Sequence, residues 1–210
     1  LELARRGAAV IAVEVDPRLV EVLRDRFRGE GLVSVVRSDA LFMPVPRVRR
    51  VVGNVPYGIS SRLLLKLLRE PSYEVAVLTL QREFALRLMA RPGTAQYGRI
   101  SVITQLYADV EVVGSVSRRA FYPQPEVDSL VVRIRPRMEN REFFEDVERL
   151  TAIIFSQRRR KLSKVMRRAG LRPAGLRGAV DLEKRVYRLT PGEVLSLAVA
   201  LRGELRGGRC

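Results

Sequence analysis

From Ala8 to about Arg135, short continuous apolar runs alternate with stretches of helical spacing, and this alternation constrains the fold most strongly. Val10-Ile11-Ala12-Val13 has the composition of a buried strand. Asp16-Pro17 then supplies an N-cap and a first-turn proline, followed by a face of Leu19, Val20, Leu23 and Phe27. Val33 to Val36 reads as a second strand, and Val51-Val52 opens a third. Ser60 to Leu68 reads as a helix with Leu63, Leu64, Leu67 and Leu68 on its apolar side. Val75 to Leu80 reads as a fourth strand, followed by a helix from Arg82 to Ala90. Strands apolar on both faces, separated by helices, indicate a parallel α/β sheet. Leu106 to Val116 and Leu130 to Ile134 read as strands with no helix between them, an antiparallel addition to that sheet.

After Arg135 the pattern becomes helical. Phe143, Phe144, Val147, Leu150, Ile153 and Ile154 follow helical spacing, and Leu162, Val165 and Met166 continue it. Thr190-Pro191 starts a last helix, with Glu193 in its first turn and Val194, Leu195, Leu197, Ala198 and Leu201 behind. The expected organisation is an α/β domain over 1–135 and a small helical domain over 136–210.

Charge divides the same way. The net charge is +16, of which residues 136–210 carry +9 and the longer stretch 1–135 carries +7. With pI ≈ 11.2, an acidic macromolecule is the first partner to consider. Hydrophobic residues make up 47% of the chain, enough for a packed core. The chain has no His, which excludes His-based acid–base chemistry and His metal ligands. Its one Cys, Cys210, excludes a disulfide framework and a Cys-based zinc site. The expectation is a cytoplasmic monomer, with no membrane segment and no metal.

Val51-Val52-Gly53-Asn54-Val55-Pro56-Tyr57 places an amide, a proline and an aromatic ring just after an apolar strand. In open parallel sheets, ligands bind beyond the carboxyl ends of the strands. The Asn54 oxygen and a backbone carbonyl before or at Pro56 can accept hydrogen bonds from one amino group. Tyr57 can stack on a flat base. Such a site orients an exocyclic amino nitrogen toward an activated electrophile and stabilises the charge it gains, without a strong general base. A turn in which these residues serve only geometry fits the same stretch. Glu14, at the end of the first strand, has the position of a ribose-binding carboxylate. Asp39, in Ser38-Asp39-Ala40-Leu41, can accept from an adenine amino group, although Ser-Asp is also ordinary turn chemistry. Phe121 and Tyr122 stand on a stiff loop, Ala120-Phe121-Tyr122-Pro123-Gln124-Pro125-Glu126-Val127-Asp128-Ser129. Ser156 to Arg168 carries seven basic residues and no acidic one: Arg158, Arg159, Arg160, Lys161, Lys164, Arg167 and Arg168. Arg158, Lys161, Lys164 and Arg168 can share one helix face, which suits a phosphate track.

These features occur together and in order, and the chain resembles the ribosomal RNA adenine N6,N6-dimethyltransferases, which modify adjacent adenines near the 3′ end of small-subunit RNA. Asn54-Val55-Pro56-Tyr57 is similar to that family's Asn-Leu/Ile-Pro-Tyr motif. Phe121 to Ser129 resembles its Phe-x-Pro-x-Pro-x-Val-x-Ser signature, and Phe155 to Leu162 the start of its helical domain. The resemblance implies a Rossmann-like class I methyltransferase sheet, S-adenosylmethionine as methyl donor, and ribosomal RNA within an immature small subunit as partner. It implies that Glu14 binds the donor's ribose, and that Asp39, with Ala40, binds its adenine. Asn54, beside the donor, and the Pro56 carbonyl would hold the target amino group, with Tyr57 and Phe121 stacking the extruded base.

The family's glycine-rich loop and first strand have no counterpart. Leu1 to Gly7 reads as the end of a helix, with Leu1 and Ala4 on one face and Gly7 beyond its end. A missing N-terminal piece and weak donor binding are therefore expected. Three other readings stand beside the main one: a large-subunit RNA adenine methyltransferase, a non-catalytic ribosome-assembly or RNA-binding factor, and a DNA adenine methyltransferase.

Overall fold

The computed structural model describes residues 2–172 and 180–207. Leu1 and Cys210 lie outside them. The chain divides into two compact units, Leu1–Pro46 and Arg47–Cys210.

The first unit opens with α1 (Glu2–Arg5). Gly7 follows it at φ +78°, the left-handed conformation that ends a helix and that glycine adopts without strain. β1 (Val10–Glu14) and β2 (Val33–Arg37) pair in parallel as a two-stranded sheet. Between them lies α2 (Pro17–Arg26), capped as its sequence predicts: the Asp16 carboxylate accepts the Arg18 N–H at 2.8 Å, and Pro17 occupies the first turn. Of the expected apolar face, Val20 is buried and Leu23 and Phe27 are half-buried, while Leu19 is exposed.

The second unit is built on a four-stranded sheet. Its strands are β3 (Arg50–Asn54), β4 (Val75–Gln81), β5 (Ala108–Val116) and β6 (Ser129–Pro136), in the order β3-β4-β6-β5. β3 and β4 run parallel, and β6 runs antiparallel to both β4 and β5. The carboxyl ends of β3, β4 and β5 therefore share one edge with the start of β6. Between β3 and β4 lies α3 (Ser60–Arg69), which buries Leu64, Leu67 and Leu68. α4 (Arg82–Leu88) follows β4.

One expected strand is a helix at its start. Leu106 and Tyr107 end α5 (Arg99–Tyr107), and β5 begins only at Ala108. This helix is buried on several sides, with Ser101 and Thr104 as covered as Val102 and Ile103. No polar face remains to give the helical period.

The helical end comprises α6 (Phe144–Phe155), α7 (Leu162–Arg168), α8 (Pro191–Ala200) and α9 (Arg202–Gly207). α8 carries the anticipated cap in full. Thr190 Oγ1 accepts the Glu193 N–H at 3.2 Å, and Glu193 accepts the Thr190 N–H at 2.8 Å.

The division between compact units falls at Pro46/Arg47 rather than at 135/136, because the helical end shares the core of the second sheet. The Tyr97 hydroxyl donates to the Leu189 carbonyl at 2.7 Å, and its ring meets Phe155 edge-on. Arg141 donates to the Leu68 and Tyr107 carbonyls and lies 5.3 Å over the Tyr107 ring. Glu148 on α6 pairs with Arg69 on α3 and Arg99 on α5. Among the described residues, no helix is long and apolar enough to cross a membrane.

Candidate active site and nucleic-acid interface

Asn54 is the last residue of β3, so the strand ladder sets its place. It pairs with Thr79, and the next residue, Val55, donates its N–H to the Thr79 carbonyl at 3.2 Å. The chain then leaves the sheet. Pro56 adopts φ −55°, and Tyr57–Ile59 form a turn of 3₁₀ helix that leads into α3. The Asn54 side chain is exposed and makes no hydrogen bond among the described residues.

The turn corrects one expectation. The Pro56 carbonyl already accepts the Ile59 N–H at 3.1 Å and the Ser60 hydroxyl at 3.2 Å. Both of its lone-pair directions are committed to starting α3, so it is not the acceptor for an incoming amino group. The carbonyl of Val55 accepts no hydrogen bond among the described residues. It is the unpartnered backbone acceptor next in sequence to Asn54.

Tyr57 is 37% exposed, and its hydroxyl lies 3.0 Å from the Ser129 hydroxyl. Ser129 begins β6 opposite Gln81, at the sheet edge where β3 ends. This bond joins the two motifs singled out in the sequence. Ser129 was legible there only as the last position of a signature, with no partner assigned.

The loop from Ser117 to Asp128 is braced at both ends. Asp128 Oδ1 accepts the Arg118 N–H at 2.9 Å, and the Asp128 carbonyl accepts the Arg82 N–H at 3.0 Å. The Arg118 guanidinium donates to the Glu126 carbonyl at 3.0 Å. The Tyr122–Pro123 peptide is cis. Phe121 is half-buried and makes no ring contact with Tyr57.

Glu14, Asp39 and Ala40 belong to the first unit. Glu14 Oε1 accepts the N–H groups of Val15 and Asp16, at 2.7 and 2.9 Å. Asp39 Oδ1 accepts the Leu41 N–H at 2.8 Å, and its carbonyl accepts the Phe42 and Met43 N–H groups. One oxygen of each carboxylate thus orders the local turn. The other has no partner among the described residues and is free to take a hydroxyl or amino donor. Ala40, which follows Asp39, is half-buried and adds no polar group.

The basic run is not a single helix face. α6 ends at Phe155 and α7 starts at Leu162, so Arg158, Arg159 and Arg160 lie in a turn and Lys161 is the N-cap of α7. Arg158 is spent on structure: its guanidinium donates to the Thr94 and Ala95 carbonyls at 3.1 Å and lies 5.8 Å over the Tyr187 ring. Lys161 pairs with Glu183 at 2.8 Å. Arg159, Arg160, Lys164, Arg167 and Arg168 are exposed, and none of their side chains forms a salt bridge among the described residues.

A family model described as ribosomal RNA adenine dimethylase matches residues 1–201. The chain belongs to that family. A probable ribosomal RNA small subunit methyltransferase A of Pyrococcus abyssi is 37% identical over 96% of this chain and 76% of its own length. Among solved structures, a dimethyladenosine transferase from Plasmodium falciparum has a TM-score of 0.77 at 27% identity, covering 94% of this chain and 82% of that one. A 23S rRNA methyltransferase has a TM-score of 0.64 at 32% identity, covering 96% and 85%. The fold is accordingly the Rossmann-like class I methyltransferase fold, as the alternation of strands and helices predicts.

Proposed function

We propose that this chain transfers methyl groups from S-adenosylmethionine to the N6 nitrogen of adenines in small-subunit ribosomal RNA. One observation carries the reading: at the carboxyl edge of the sheet, the Asn54 amide oxygen and the carbonyl of the next residue, Val55, are both unpartnered among the described residues, in the turn that leads to Tyr57. Two acceptors match the two N–H bonds of an exocyclic amino group. Accepting both draws the nitrogen lone pair out of conjugation with the ring and stabilises the charge the nitrogen gains. Tyr57 offers a stacking face for a base taken out of its helix, with Phe121 on the neighbouring loop. S-adenosylmethionine, when bound, supplies a methyl group already activated as a sulfonium, which is why a chain without His suffices. The free carboxylate oxygens of Glu14 and Asp39 suit its ribose and adenine, with Ala40 following Asp39.

The exposed arginines of the helical end, with Lys164, support binding of the RNA backbone over 136–210, while the sheet supplies the transfer site. The name carried by the Pyrococcus abyssi relative favours small-subunit RNA over the large-subunit substrate in the name of the 23S enzyme. The reading includes action as a monomer in the cytoplasm, on an immature small subunit.

The test is mass spectrometry of ribosomal RNA after incubation of immature small subunits, and separately of 23S RNA, with the protein and donor. N6-dimethyladenine in small-subunit RNA is the expected product. Methylation of 23S RNA alone moves the substrate to the large subunit. No methylation of either by the wild type, with RNA still bound, leaves a binding factor. Asn54→Ala is expected to lose transfer by two orders of magnitude or more while RNA binding persists.

A further inference from the structure

The loop preceding β6 displays two side chains that the transfer site does not use. The Tyr122 ring is fully exposed, at 102% relative accessibility, although a phenol ring held in water gains nothing from burial. The Arg119 side chain is exposed, and its guanidinium makes no hydrogen bond or ion pair among the described residues. Its neighbour Arg118 is different, being held on the Glu126 carbonyl.

The segment that carries them is anchored. Ser117 caps it by accepting the Arg119 N–H at 3.3 Å, and Asp128 ties it to Arg118 and Arg82. Ser129 fastens its far end to Tyr57. Prolines at 123 and 125 stiffen its centre. Tyr122 is therefore a ring mounted in advance, next in sequence to Phe121 and on the same sheet edge as Asn54. An exposed ring and a free guanidinium on one fixed support are the chemistry of single-stranded nucleic-acid recognition, stacking for a base and charge for a phosphate.

We propose that Tyr122 stacks on the base of a nucleotide flanking the target adenine and that Arg119 pairs with its phosphate. This rests on the RNA-methylation reading above. With the target base drawn toward Tyr57, its neighbour loses a stacking partner within the RNA. Tyr122 replaces that partner, so the pair holds the strand in register while the target is out. Because stacking uses the ring's face and not the hydroxyl, the contact tolerates any base and survives loss of the phenol oxygen.

The experiment compares the wild type with Tyr122→Ala, Tyr122→Phe and Arg119→Gln. It reads binding of a short single-stranded oligoribonucleotide by fluorescence anisotropy, and KM and kcat on small-subunit RNA. Tyr122→Ala should weaken binding and raise KM about tenfold with a smaller effect on kcat, and Tyr122→Phe should stay within about twofold of wild type. Arg119→Gln should reduce the slope of log affinity against log salt by about 0.7. An RNA lacking the base on one side of the adenine, each side in turn, separates stacking from structural damage. On one of these RNAs the wild type should lose the same tenfold and Tyr122→Ala nothing further. Unchanged binding by Tyr122→Ala, equal damage by Tyr122→Phe, or an equal added loss on both abasic RNAs overturns the proposal. A wild type that binds the oligonucleotide but methylates no RNA counts against the functional reading, while the anisotropy arm still decides the stacking contact.

Discussion

The hydroxyls of Tyr57 and Ser129, 72 positions apart in the chain, lie 3.0 Å from each other. The bond fixes the ring of the Asn-Val-Pro-Tyr turn against the start of β6, where Ser129 is fully buried. Ring and loop are thereby held as one piece. Tyr57→Phe keeps the ring and removes the bond, and Ser129→Ala removes it from the other side. Each is expected to lower kcat/KM for methyl transfer about threefold to tenfold, the worth of one net hydrogen bond. The double variant should be little worse than either single one. Steady-state kinetics on small-subunit RNA measure this, and additive losses would mean that the two hydroxyls act separately.

Within the basic run, neighbouring arginines should behave in opposite ways. Arg158→Ala removes two hydrogen bonds that hold the Thr94–Ala95 loop to the helical end. It is expected to cost about 1–3 kcal/mol of stability, read as a lower Tm. Arg160→Ala touches no such bond and should leave Tm within about a degree. It should instead weaken RNA binding and flatten its salt dependence.

The α8 cap sets a limit in acid. Burial opposes ionisation of the Glu193 carboxyl, but hydrogen bonds from the Lys184 ammonium and from Thr190 outweigh it and hold its pKa below the ordinary 4.5. The charged form is thus favoured by folding. Its contribution is fully present above pH 4.5 and is lost as pH falls through the depressed value. The Tm of Glu193→Gln should therefore lie below wild type at neutral pH, with the gap closing as pH falls below 4.5 through the depressed value. A gap that stays constant across a thermal-denaturation series from pH 7 to 3 would contradict this.

Asp146 on α6 is fully buried, and its two carboxylate oxygens accept from Arg206 at 2.9 Å, with Arg202 at 3.3 Å. Asp146→Ala should cost about 2–4 kcal/mol and free α9 from α6. Arg206→Ala should cost as much or more, because it leaves a buried carboxylate with a weaker partner. Chemical denaturation with a cooperative two-state fit checks the pair.

Much of this was readable from local residue order. Asp16-Pro17 and Thr190-Pro191 with Glu193 are caps, whose physics lies within four residues. The strands from Val10 to Leu80 are apolar runs whose ends are marked by turn residues. α5 escaped because its surroundings bury Ser101 and Thr104 together with Val102 and Ile103, erasing the period that betrays a helix. The role of Arg158 depends on carbonyls at 94 and 95, and the state of the Pro56 carbonyl depends on where Ser60 points after the turn. Both are relations in space, and no spacing in the sequence encodes them. The Asn54 turn was legible as a motif, but the choice between the Val55 and Pro56 carbonyls became possible only with the turn's hydrogen bonds in view.

Glu148 gives the helical end its standing in the molecule. With one carboxylate it engages Arg69, from the helix after β3, and Arg99, from the helix before β5. The last third of the chain is therefore not a detachable arm carried by the sheet. Heat should melt residues 47–207 in a single cooperative step. A protease cut after Pro136 should release no folded helical fragment, because each piece would take half of a shared core with it.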